Sequence, residues 1–169
     1  MTTTISNATL TVTVTEAVTL NGYDQGSSNT LTLPNIDEVV KRIVTISTTE
    51  TGLLSFSAAS TTAVTATAAT TYVAGHFDED DVRYIRITNK DDTNFAILRF
   101  RSQGGHEFAV KVEGGNSFIY CCDTISGGGT ESTMDANTSA LTVALDHLAD
   151  ITADADTGDV DLEVFVASV

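Results

Sequence analysis

The chain has 169 residues, 18% of them charged, with 29 threonines, one proline and a formal net charge of −15. A chain of this length forms one domain, or one domain with a small appendage, and buries roughly 70% of its unfolded surface, so its core requires neither a disulfide nor a metal. The charge repels DNA, RNA and anionic lipid, and abundant β-branched Thr with little Pro argues for an all-β chain over a disordered one.

In chain order, the start MTTTISNATLTVTVTEAVTL alternates like a strand and lacks the charged region of a secretory leader, which places its synthesis in a reducing cytoplasm. Leu10, Val12 and Val14 alternate with Thr11, Thr13 and Thr15, giving a strand with one apolar face. Asn21-Gly22 signals a tight turn, and residues 24–29 extend it as a loop. Residues 36–43 fit a helical turn, but the β-branched content of residues 39–46 favours a strand. A short strand is expected at residues 53–56. The Ala, Thr and Ser tract at 58–71 reads either as an exposed strand pair or as a loop.

Residues 81–120, DVRYIRITNKDDTNFAILRFRSQGGHEFAVKVEGGNSFIY, hold four alternating runs separated by Asn89-Lys90-Asp91-Asp92, Gly104-Gly105 and Gly114-Gly115-Asn116. Turn chemistry between period-two runs predicts an antiparallel meander with one dry and one wet face. Beyond it, Gly127-Gly128-Gly129 predicts a loop, and residues 141–148 a single helical turn. Thr157-Gly158 predicts a hairpin turn into a last strand that points Val160, Leu162, Val164 and Val166 inward. No repeat of fixed period runs along the chain.

No catalytic constellation is expected. His76, His106 and His147 are scattered, and no Ser lies in a nucleophile-elbow context. The run Asp78-Glu79-Asp80-Asp81 suggests a calcium site or a solvated loop. Neighbouring carboxylates on an extended chain diverge, and this favours the loop. Asp154-Ala155-Asp156-Thr157-Gly158-Asp159 opens like an EF-hand loop but fails, with Gly158 at position five and Phe165 at position twelve. Cys121 and Cys122 are adjacent and expected to be free thiols. Lys41 with Arg42 is the one basic pair. Arg83, Arg86, Arg99 and Arg101 form either a positive stripe or a set of ion pairs with nearby acids. The expectation is therefore no catalytic residue, no cofactor, no metal, no nucleic-acid partner and no membrane contact.

Four phrases carry a family resemblance: IDEVVKRIVTISTTETGLLSFS (36–57), VRYIRITNKDDTNFAILRF (82–100), GNSFIY (115–120) and DVDLEVFVAS (159–168). Together they resemble small virion structural proteins of marine tailed bacteriophages, cyanophages among them. The tracts 58–71 and 131–140 carry no such phrase. The resemblance implies a β-sandwich particle component without a cofactor and leaves its position on the particle open.

The resulting expectation is one all-β domain over residues 1–169. It is an antiparallel, jelly-roll-like β-sandwich of about eight to ten strands with very little helix, and residues 1–8 form an extended arm. Val12, Val14, Leu98, Phe100, Phe108, Val110, Val112, Leu162, Val164 and Val166 are its expected core. An acidic surface facing away from packaged DNA points to the outside of the virion. The leading expectation is a capsid decoration or cement protein, a symmetric homo-oligomer bound to the major capsid protein or other virion proteins. A neck, tail or fibre-base component is the alternative, and a calcium-dependent carbohydrate-binding adhesion module is a third. Candidate contact segments are residues 2–8 and 58–71.

Overall fold

Period-two alternation is realised as strands throughout the computed structural model, which describes residues 7–57, 75–122, 129–130 and 147–169. Among the described residues there is no helix, and thirteen strands follow one another. They are β1 (Ala8–Glu16), β2 (Thr19–Leu20), β3 (Tyr23–Asp24), β4 (Ser27–Ile36), β5 (Glu38–Ile46), β6 (Thr51–Ser57), β7 (His76–Asp78), β8 (Val82–Asn89), β9 (Ala96–Ser102), β10 (Glu107–Val112), β11 (Ser117–Cys121), β12 (Leu148–Ala155) and β13 (Val160–Ser168). The readings for residues 1–6, 58–71, 127–128, 131–140 and 141–146 lie outside the described residues. Leu148, read as part of a helical turn, opens β12.

Nine strands form two facing sheets, one ordered β10-β9-β12-β6-β7 and the other β11-β8-β13-β5. All pairs are antiparallel except the short β6–β7 pair. Between the sheets, Val44, Ile85, Ile87, Leu162, Val164 and Val166 meet Leu54, Phe56, Leu98, Phe100, Ile151 and Ala153 in one apolar core. Each large side chain so buried contributes about 1.5–3 kcal/mol. The all-β sandwich expected from the alternation is what forms.

The expected meander does not form. β9 and β10 make a hairpin, but β8 and β11 pair with each other in the opposite sheet. The loops at 90–95 and 113–116 therefore carry the chain across the sandwich instead of reversing it within one sheet. Asn89, fully buried, fixes both crossings. Its side-chain amide donates to the carbonyls of Asn94 at 2.9 Å and Val112 at 3.1 Å, and its Oδ1 accepts from the Asp91 amide at 2.9 Å. Its backbone bonds Asn116 and Gly115. Gly114 is needed for close approach, since a Cβ there would lie 2.8 Å from the Asp91 carbonyl oxygen.

Thr157-Gly158 is likewise not a hairpin turn. β12 pairs with β6 and β9, while β13 pairs with β5 and β8, so this loop also crosses between sheets. The partners are nested: β5 with β13, β6 with β12, β8 with β11 and β9 with β10. This is the pairing of one long hairpin rolled into two layers.

β1 and β4 form a separate two-stranded ribbon capped by the small β2–β3 hairpin. Asn21 (φ 51°) and Gly22 (φ 83°) are both left-handed, as the tight turn signalled by Asn-Gly requires. Ser27 already belongs to β4, so the loop expected over 24–29 ends earlier. The base of the ribbon lies on the outer face of the four-stranded sheet. There Leu33 and Ile36 bury against Tyr84 and Ala167, with Leu10, Val12 and Phe165 around them.

The ribbon and the sheet edge account for four core assignments that fail. Val14 is 48% exposed, with no sheet of the described residues beneath that part of the ribbon, and Val12 is only half-buried. Phe108 is 38% exposed and Val110 half-buried, because β10 is an edge strand. Phe108 still stacks on Phe100, with centroids 4.7 Å apart and planes 4° from parallel, and Phe118 of the other sheet closes on Phe100 at 4.9 Å. The other six expected core residues are buried. Phe100→Ala is expected to cost about 3–5 kcal/mol and Phe108→Ala about 1–2 kcal/mol, read as shifts in urea midpoint at constant slope. Equal costs would contradict this assignment of the two rings.

Candidate functional site

The residues singled out for chemistry are dispersed across the sandwich. His76 on β7 has Nδ1 3.2 Å from Ser55 Oγ and Nε2 2.7 Å from Ser57 Oγ. Both ring nitrogens thus face hydroxyls, and among the described residues no carboxylate takes the position that would orient a catalytic imidazole. His106 lies in the β9–β10 turn, where its amide donates to Ser102 Oγ at 3.2 Å. His147 stands 3.5 Å from Asp80 Oδ1 and 3.4 Å from Thr130 Oγ1, a juxtaposition that nothing in the local sequence signals.

The acidic run diverges. Asp78 accepts the Asp80 amide at 3.1 Å, Glu79 is buried and accepts from Gln103, and Asp80 faces His147. Burial and the neighbouring Asp78 push the Asp81 carboxyl above its ordinary range. Residues 154–165 include parts of β12 and β13, and Asp156 serves the crossing loop by accepting the Thr157 amide at 2.7 Å. Among the described residues no three His, Cys, Asp or Glu side chains converge as a metal site. Cys121 and Cys122 are free thiols, the second buried and pushed up to about 12 by that burial.

The arginines do not form one stripe, because β8 and β9 lie in opposite sheets. On the outer face of the five-stranded sheet, Glu50 accepts from Arg99 at 2.7 Å, Arg101 at 2.6 Å and Thr152 at 2.6 Å. Arg101 also reaches Glu107 at 3.3 Å and Asp150 at 3.5 Å. Burial opposes the charge of Glu50, but Thr152, Arg101 and Arg99 outweigh it and hold its carboxyl below the ordinary range. Burial pushes Asp150 the other way, against the pull of Arg101. On the opposite outer face, Arg86 at 2.6 Å and Lys41 at 3.1 Å share Glu163. Arg83 bonds the carbonyls of Asp80 and Val82.

The feature that no single motif signals is the ribbon. A nine-residue strand is about 30 Å long, and only the ribbon's base touches the sandwich. Opposed residues share a face, so Val12 and Leu31, Leu10 and Leu33 line one side with Val14. Thr11, Thr13 and Thr15 oppose Thr32, Thr30 and Ser28 on the other. The hydroxyl side is self-satisfied, with Thr13–Thr30 and Thr15–Ser28 contacts of 3.1 Å each. Among the described residues, nothing buries the apolar side beyond its base. Val14, Val18, Leu20, Tyr23 and Leu31 are 48%, 51%, 61%, 73% and 38% exposed. Ribbon alternation is identical in sequence to that of a buried strand, so this exposure was not legible there. Large apolar side chains exposed together on one element make the ribbon the candidate contact surface. No family model, curated protein or solved structure matches the chain.

The Glu50 hub generates a pH dependence. Its depressed carboxyl stabilises the fold above the ordinary glutamate value, and that stabilisation is lost as pH falls through the lower folded value. Glu50→Gln is expected to lower the urea midpoint at about pH 7, with the deficit narrowing at about pH 3. A deficit that stays constant over this range would remove Glu50 from the role.

Proposed function

We propose that this chain is a non-enzymatic structural protein of a bacteriophage particle, a decoration or cement protein bound to the outer surface of the major-capsid shell. The observation that carries a binding role is the projecting ribbon, with five large apolar side chains held in water at the end of a stable sandwich. Their hydration is relieved only by contact with another surface.

Three further observations support the reading. The four sequence phrases resembling virion proteins of marine tailed phages fall mostly on strands of the sandwich, β5, β6, β8, β9, β11 and β13. The net charge of −15 favours a position away from packaged DNA. The nested pairing of β5, β6 and β8 through β13 supports a jelly roll, an architecture used in viral capsid and lectin domains, with β7 added at one edge.

Purified protein added to assembled shells that lack it is expected to co-sediment, to saturate at many copies per shell, and to raise the temperature at which the shells rupture. No binding to any assembled particle would overturn the virion reading. Density confined to a ring at one vertex in a reconstruction would replace decoration with the neck, tail or fibre-base role. A chelator-induced loss of melting temperature that calcium restores would favour the adhesion module.

A further inference from the structure

We infer that the base of the ribbon carries a binding site for a neutral saccharide, held through two neighbouring hydroxyls by Arg83 and Asp37. This goes beyond the virion reading, does not rest on it, and differs from the adhesion alternative in using no calcium.

The site begins with a β-bulge. β1 and β4 pair Leu10 with Leu33 and then Ala8 with Ile36, so Pro34 and Asn35 together oppose Thr9. Proline has no amide to give the ladder, and Asn35 is left-handed at φ 62°, a conformation Asn adopts more readily than most residues. An extra residue of this kind bends a strand and re-aims its side chains. A cavity of about 510 Å³ opens at this point. That volume lies within the roughly 300–1,000 Å³ of small-molecule sites. Its polar lining is Asn7, Asn35, Asp37 and Arg83, and Leu33, Pro34 and Val169 supply the apolar part.

The polar lining has unused hydrogen-bonding capacity. Arg83 directs Nη1 to the carbonyls of Asp80 at 2.5 Å and Val82 at 3.3 Å. Among the described residues its Nε–Nη2 edge has no partner and no carboxylate pairs with it, whereas Lys41, Arg86, Arg99, Arg101 and Lys111 each meet one. The side chains of Asn7, Asn35 and Asp37 likewise make no hydrogen bond among the described residues.

The charges around the cavity select the ligand. The free edge of Arg83 presents two parallel N–H donors, which a carboxylate or two adjacent hydroxyl oxygens match. An anion is disfavoured, because Asp37 lines the same cavity and the chain carries −15. Asp81 adds to this: burial and Asp78 raise its carboxyl most, Arg83 lowers it and Asp37 raises it, so all three groups lie within electrostatic reach of one another. A cation is disfavoured by Arg83, and among the described residues no three acidic groups converge to hold one. A vicinal diol satisfies both charges at once. Its oxygens accept from the Arg83 edge and its hydroxyl protons go to Asp37, while Asn7 and Asn35 each offer a donor and an acceptor to further hydroxyls. The C–H groups of the sugar ring lie on Leu33, Pro34 and Val169.

The full chain is to be titrated in EDTA with methyl α-D-mannopyranoside, methyl β-D-galactopyranoside, methyl β-D-glucopyranoside and D-glucuronate, read by amide and guanidinium NMR shifts. Saturable binding of at least one neutral glycoside is expected, with shifts at Asn7, Asn35 and Arg83, and weaker binding of glucuronate. Asp37→Ala removes the acceptor and should weaken binding about tenfold. Asn35→Gly suits the left-handed backbone and should weaken binding several-fold. Both variants should keep the parent's urea midpoint, since neither side chain bonds within the described fold. No saturable binding of any neutral glycoside would overturn the site, as would glucuronate binding more tightly than all of them. Binding that appears only with added calcium, or that both variants retain in full, would do the same. These titrations contain no shells, so they fail or succeed independently of the virion reading.

Discussion

Both hydrophobic clusters of this protein are seated on one strand. β13 turns Val160, Leu162, Val164 and Val166 into the space between the sheets and turns Phe165 and Ala167 outward, under the ribbon. It is paired along its length with β5 on one side and β8 on the other. Its far end is tied down by the Asp37 amide, which donates to the Ser168 carbonyl at 3.1 Å, and by the Val169 amide, which donates to that of Asp81 at 3.0 Å. A strand buried along its inner face, covered by the ribbon at the far end of its outer face and bonded on both edges sets the position of everything it touches. The sandwich core, the anchoring of the ribbon and the placement of β5 all follow from it.

The two outer faces of the sandwich have opposite characters, and the difference comes from single side chains. On the five-stranded sheet, Glu50 gathers Arg99, Arg101 and Thr152 into one bonded network. Its polar groups satisfy each other. On the four-stranded sheet, the outward positions include Tyr84, Phe165, Val39 and Ile43, and the ribbon covers only the first two. Thus one side of the protein is complete in itself and the other presents unfinished apolar contacts.

What could be read from the sequence, and what could not, divides along the same lines. Alternation located the inward side chains of β9 and β13 correctly, because Leu98, Phe100, Leu162 and Val164 lie in central strands with a sheet opposite. The same alternation misassigned Val14 and Phe108, since period two reports that a strand has two faces, not that something covers one of them. Turn residues marked where the chain changes direction at Asn89, Gly114 and Gly158. They did not tell which sheet the chain enters next, because pairing partners are chosen by long-range packing. The scattered arrangement of His76, His106 and His147 was legible as scatter, whereas the approach of His147 to Asp80 depends on tertiary structure alone.

The nested pairing has a kinetic consequence. Thr45 of β5 donates to Asp161 beside it on β13 from 116 residues away in sequence. The first strand of the sandwich is completed by the last, so the four-stranded sheet lacks its central member until residues 160–168 have been made. Loop closure over that span must be paid for before the contacts that reward it exist, which places this chain among slow folders of high contact order. During synthesis β5 waits with both edges open and its apolar side chains uncovered, a condition that favours wrong pairing with neighbouring chains. The interval between the emergence of β5 and that of β13 is the period of greatest exposure to aggregation.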